Sequence, residues 1–329
     1  MKKRNVIAIC LLAGMFSACS EQLDVPVGGD IVLKASVDNL EVATRTAVEA
    51  NPYEGIYPST ETPLEAAVWF SKTSGVYANT PESDTETHLP IRSTARFESD
   101  GWTYPEKYNN ENLKYPINND PVYCVGLYPQ TGWSINVEAT TSVSHDIDGT
   151  TDLMFASQIS GTWNTPFSTP LNFGHLQTWI KVCICATSEE APDAWGKVTD
   201  IKILTDDKVT VQLADGTKTY STTKKELDLI DTDTPIPLEI TTTQISEEGV
   251  FCAPATSYTL MVTTEKQVTK EIKITDLYNL SNTKITDKND LIGKLCVLTL
   301  YFNEFATING VCTLEAWSNE DENLYPDSN

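Results

Sequence analysis

Apolar and polar residues alternate along this chain in short runs that Pro, Gly, Asn and Asp keep interrupting, and no long stretch repeats with helical period. The most conspicuous pattern lies between Asp152 and Ala186. Leu171, Phe173 and His175 alternate onto one face of an extended segment. Past Gly174, residues Ile180, Val182, Ile184 and Ala186 alternate again, with Trp179, Cys183 and Cys185 opposite. Both faces are mostly apolar, which predicts the central strand of a first sandwich.

Nearer the start, Ile31, Leu33, Ala35 and Val37 share one face of Ile31 to Val37 and predict a first strand. Further strands are expected over Ala66 to Ser71, Ser93 to Glu98, Trp102 to Tyr104, Val122 to Tyr128 and Leu153 to Ser157. Long Pro/Asn/Thr/Asp-rich loops separate them, notably Tyr77 to Leu89 and Tyr104 to Asp120. Ser188 to Lys197, with two Glu, Pro192 and Gly196, reads as a boundary. A second set follows: Val198 to Leu204, Val209 to Leu213, Ile236 to Thr242, Val250 to Ala253, Tyr258 to Thr264, Thr269 to Thr275, Leu295 to Phe302 and Ile308 to Trp317, with Asp215-Gly216 as a hairpin turn. The expectation is an all-β chain of two β-sandwiches in series, residues 46–190 and 191–329.

Length and charge fit that outline. The 329 residues suffice for two cores. With 46 acidic against 23 basic side chains the formal net charge is −23, spread along the chain, which disfavours nucleic acid and anionic membrane surfaces as partners.

The first residues carry an export signal. Lys2, Lys3 and Arg4 precede an apolar run from Val6 to Met15, and Phe16-Ser17-Ala18-Cys19 closes it as a lipoprotein cleavage box. The run is too short to span a bilayer as a helix. Removal of residues 1–18 and lipid attachment at Cys19 are expected, followed by a polar tether over 20–30.

Chemistry-bearing residues are sparse. Of eight cysteines, Cys10 leaves with the signal and Cys19 carries lipid. Cys124, Cys183, Cys185, Cys252, Cys296 and Cys312 all lie in apolar strand patterns, which favours free buried thiols over a disulfide framework. His88, His145 and His175 have no metal-ligand spacing and no nucleophile signature beside them; His175 is expected as a hydrogen-bonded core residue. Asp146 to Asp152 holds carboxylates before Gly149 but lacks the ligand set of a calcium loop, so a turn is the better account. Trp102, Trp133, Trp163 and Trp195 offer ring faces to a sugar, although packing is their commoner use. No catalytic residue, metal or cofactor is expected.

Asp152-Leu153-Met154-Phe155-Ala156, a linker, and Leu171-Asn172-Phe173-Gly174-His175-Leu176 together resemble fimbrillin-like lipoproteins, the pilin and pilus-accessory proteins with which Gram-negative anaerobes build type V pili. Tyr123 to Pro129, leaving through Tyr-Pro into a Gly-Trp turn, is similar to the same family. The resemblance implies two transthyretin-like sandwiches and an outer-membrane lipoprotein exported to the cell surface. It also implies cleavage by a trypsin-like protease after an arginine that Arg45 matches, so that the mature chain begins at Thr46 and the strand of Ile31, Leu33, Ala35 and Val37 is displaced. Other pilin subunits would then be partners through strand complementation, and a host or bacterial surface ligand a further one.

Shaft pilins of that family donate a C-terminal extension. Ser318 to Asn329 is acidic, nearly without aliphatic residues, and contains Pro326, so it suits a donor strand poorly. The expectation is a tip or accessory subunit, a role that admits adhesion. An anchor subunit, which keeps its lipid and first strand, is the competing subtype. The alternative from another class is a monomeric surface lipoprotein that binds glycans.

Overall fold

The computed structural model describes residues 29–37, 63–77, 92–97, 103–107, 110–135, 141–246, 249–267, 270–275, 277–279, 283–305 and 307–315. Cys19, Arg45, Thr46, His88, Trp102 and the acidic stretch 318–329 lie outside them, as does the expected signal segment.

In chain order the strands are β1 (Ala35–Val37), β2 (Leu64–Ser71), β3 (Arg92–Phe97), β4 (Val122–Tyr128), β5 (Ser134–Ile135), β6 (Ser142–Asp146), β7 (Met154–Gly161), β8 (Leu171–His175), β9 (Thr178–Ala186), β10 (Val198–Asp206) and β11 (Lys208–Gln212). They continue with β12 (Lys218–Tyr220), β13 (Lys224–Ile236), β14 (Thr243–Gln244), β15 (Val250–Cys252), β16 (Tyr258–Thr264), β17 (Lys270–Ile274), β18 (Leu277–Tyr278), β19 (Leu295–Phe302) and β20 (Ile308–Glu315). One helical turn, α1 (Ala191–Trp195), and a 3-10 turn, Lys288–Leu291, complete the described elements. The fold is all-β.

The strands form four sheets: β1-β8-β7-β4-β2-β3, β12-β11-β6-β5, β13-β10-β16-β17 and β14-β9-β19-β20-β18, with β15 also on β9. They pack as sandwiches because strand residues alternate between faces. On β2, Ala66, Val68 and Phe70 enter one core while Ala67 and Trp69 enter another. The first sheet is therefore buried on both faces. One face carries Cys124, Ala156 and Phe173 under the loop residues Leu113, Tyr115 and Phe167. The other carries Val125, Leu127 and Phe155 against Val143, Val209 and Val211 of the second sheet. A third core lies between the other two sheets, around Ile180, Val182, Ile184, Ile201, Leu260, Leu298 and Trp195.

The Asp152 to Ala186 stretch is not one central strand. β8 pairs with β7 in the first sheet (Ala156↔Phe173, Phe155↔Gly174), whereas β9 pairs in parallel with β19 in another (Val182↔Leu298, Ile184↔Leu300). The chain crosses at Gln177, which is fully buried. Its side-chain oxygen accepts from the Leu153 N–H at 2.7 Å and its backbone carbonyl from the Gly293 N–H at 2.7 Å. These bonds tie the end of β8 to both sheets at the point where the backbone turns away from the first.

Two further differences follow from local chemistry. β11 leaves the sheet of its predecessor β10 and pairs with β6 (Val209↔His145, Val211↔Val143), with the Asp215-Gly216 turn joining it to β12. The strand expected over Ile236 to Thr242 lies instead upstream, as β13. It pairs with β10 through two irregular steps and ends at Ile236.

Ile184 sits at the centre of the third core with no exposed surface. Ile184→Ala is expected to cost about 2–5 kcal/mol of unfolding free energy, measured by denaturant titration.

Candidate functional site

Residues 29–37 close the first core. The segment changes partners midway. Its first half pairs antiparallel with the 103–115 loop: the Tyr115 N–H donates to the Gly29 carbonyl (2.8 Å), the Ile31 N–H to Leu113 (2.8 Å), and Leu33 and Thr103 exchange both bonds (2.9 and 2.8 Å). Its second half pairs in parallel with β8, where Ala35 lies opposite Leu171 and Val37 opposite Phe173, and the Leu171 N–H donates to the Lys34 carbonyl at 2.8 Å. The first half of the segment is thus covered by a loop, which satisfies backbone groups that would otherwise stand open.

Ile31, Leu33 and Ala35 have no exposed surface and pack with Val68, Phe70, Phe97, Val122 and Phe173; Val37 is half-buried. The opposite face, which the alternation places toward solvent, is covered as well: Val32, Lys34 and Ser36 are all buried. Two side-chain bonds mark the ends of the groove. Asn112 Nδ2 donates to Asp30 Oδ2 (2.7 Å), and Ser36 Oγ donates to Asn172 Oδ1 (3.0 Å). Asn112, Leu113 and Tyr115 belong to the Tyr104 to Asp120 region, which sequence reading treats as loop, whereas Thr103 falls in the short strand expected over Trp102 to Tyr104. No periodic signal marks them as a wall, because pairing with a distant strand imposes no pattern on a short bridge.

The remaining singled-out residues do not assemble a reactive centre. His175 Nδ1 lies 3.0 and 2.9 Å from the two Asp152 oxygens, with both side chains mostly buried. The ring borders a cleft of about 530 Å3 lined also by Thr217, Lys218 and Asn289. Cys124, Cys183, Cys185, Cys252, Cys296 and Cys312 are free and buried. Burial pushes the Cys252 thiol up to about 12 and holds those of Cys124 and Cys296 well above their ordinary value, so none of these three offers a thiolate at neutral pH. Among the described residues no group of three His, Cys, Asp or Glu side chains is placed to hold a metal ion.

The Asp146 to Asp152 stretch is a turn. Asp148 accepts from the Thr150 N–H (2.9 Å), the Thr151 N–H (2.8 Å) and Thr151 Oγ1 (2.8 Å). Burial by itself would raise this carboxyl, but the bonds from Thr151 and Thr150 together outweigh it and hold the group below the usual range. Of the tryptophans, Trp133 donates its indole N–H to Pro129 and fully buried Trp195 donates to Asn303, both at 2.8 Å. Trp163 keeps 40% of its surface exposed.

Leu33→Ala is expected to cost about 2–5 kcal/mol in denaturant titrations. The Asp148 contribution is fully present above the unfolded carboxyl value, about pH 4, and is lost as pH falls through the lower folded value. Asp148→Asn should therefore be less stable than wild type at neutral pH and approach it in strong acid.

No protein-family model matches the chain, and no curated protein matches it. Among solved structures, a Bacteroides uniformis protein with a proposed role in cell adhesion is similar with a TM-score of 0.50 at 15% identity, over 89% of this chain and 100% of that one. A Bacteroides ovatus protein with the same proposed role gives 0.49 at 15% identity, over 89% and 99%. A fimbrial protein from Bacteroides vulgatus gives 0.45 at 14% identity, over 87% and 99%. At such identities the likeness to the first is one of fold.

Proposed function

We propose that this chain is an exported, fimbrillin-like structural subunit of a type V pilus, built from two transthyretin-like sandwiches and assembled by donor-strand exchange. The observation that carries the reading is the groove. A short N-terminal segment supplies three fully buried side chains to the first core. Its first half is held by backbone bonds to Thr103, Leu113 and Tyr115 and its second half by pairing with β8, bonds of a kind that another strand can make. Arg45 follows Val37 within the same stretch of chain, so cleavage there would leave the segment in place without a covalent tie. Its departure would expose apolar walls and unpaired carbonyl and N–H groups, and these drive uptake of a strand from the next subunit.

Before processing, lipid on Cys19 would hold the chain at the outer membrane; after it, the subunit would pass to the fimbria on the cell surface. Residues 318–329 have no alternating apolar face, which favours a tip or accessory subunit that accepts a strand over one that donates through these residues. A fold shared with a protein of proposed adhesive role agrees with a place at the surface, and with an adhesive contact there. The reading is of a non-enzymatic protein whose partners are other pilin subunits. A glycan-binding monomer draws less support, since Trp195 is fully buried and the Trp133 ring packs against His145.

The test is the N-terminal residue and lipid status of the chain recovered from assembled pili. A start at Thr46 without lipid is the expected result. A lipidated start at Cys19 in pili would replace the tip reading with an anchor, and absence of the chain from pili would overturn the assignment.

A further inference from the structure

The N-terminal strand enters its groove beneath a tryptophan. At Gly29 the backbone takes φ +76°, in the left-handed region. A Cβ there would collide with Cζ3, Cη2 and Cε3 of the Trp163 ring. Two independent demands, one conformational and one steric, thus require glycine at one place.

The ring stands on a braced turn. The Thr162 N–H donates to the Thr165 carbonyl (2.8 Å), the Thr165 N–H to Thr162 Oγ1 (3.1 Å), and the Asn164 N–H to Asn119 Oδ1 (2.8 Å). The Phe167 N–H donates to Tyr115 Oη at 2.8 Å, and the Tyr115 N–H is the group that holds the Gly29 carbonyl. The turn bearing the ring and the edge pairing with Gly29 are therefore one unit. One residue inward, Asn112 binds the Asp30 carboxylate, and beyond it Ile31, Leu33 and Ala35 fill the core.

We propose that Trp163 makes the mouth of the groove selective, closing over the backbone of whichever strand lies there and admitting only glycine at the place of Gly29. The proposal rests on the strand-exchange reading and specifies the partner: a peptide strand with glycine first, a carboxylate or other acceptor next, apolar side chains at the places of Ile31 and Leu33, and a small one at that of Ala35. The device sets register. A slip that puts Asp30 under the ring meets the clash, and any one-residue slip carries the apolar set to the wrong face.

Two measurements test it. In the first, the full chain is cut at Arg45 with an arginine-specific protease and mixed with a labelled peptide of residues 28–37 or its Gly29→Leu form. The Gly29→Leu peptide should bind at least about tenfold more weakly, and the gap should narrow on a Trp163→Ala chain. Equal binding of the two peptides overturns the selectivity, whereas failure of both to bind overturns donor-strand exchange. In the second, hydrogen exchange is followed in the uncut chain carrying Gly29→Asn, a residue that accepts the left-handed region but carries a Cβ. The Ile31 and Leu33 amides should exchange about tenfold faster, and adding Trp163→Ala should restore most of the protection. Unchanged exchange, or loss that Trp163→Ala does not relieve, overturns the clamp even where no peptide binds.

Discussion

An apolar groove lined with backbone donors and acceptors cannot stand open in water, and the order of the first sandwich depends on how the segment from Gly29 to Val37 fills it. Each fully buried Ile or Leu side chain contributes roughly 1.5–3 kcal/mol by leaving water. The bonds from Leu171 and Tyr115, to Leu113, and in both directions with Thr103 satisfy groups that would otherwise face a dry wall. The same segment is short and pairs with two different partners.

The N-terminal segment contributes to the first core and not to the other two. The third core contains no residue of the N-terminal segment; it is sealed between β9, β19 and β20 on one side and β10, β13 and β16 on the other. Gln177 and the β11-β12 hairpin connect the two regions. The hairpin places Val209, Val211 and Leu213 against the face of the first sheet opposite the groove. Alternate residues of β2, β4 and β7 serve the two faces of the first sheet separately.

Much of the strand pattern was legible from residues alone. Period-2 alternation marks the buried set of Ile31, Leu33 and Ala35, because the pleat forces neighbours to opposite faces. β2, β4, β16, β19 and β20 are visible for the same reason. β13 was missed because its exposed face carries Lys, Glu and Asp, which read as loop chemistry although Leu227, Leu229 and Ile230 are buried. The walls of the groove were missed because Asn112, Tyr115 and Trp163 sit in turn-rich stretches, and their roles come from meeting a segment far away in sequence.

Sequence by itself determined an all-β chain and the face each strong strand turns inward, and it gave His88, His145 and His175 no metal-ligand spacing or nucleophile signature. Only the tertiary structure decided that β8 and β9 part into different sheets, that β11 returns to the first sandwich, and that both faces of the N-terminal segment are covered. The reason is physical. Alternation is a property of one strand and its own side chains, whereas pairing, coverage and the clamp of Trp163 over Gly29 depend on which distant backbone arrives beside it, and either partner reads the same without the other.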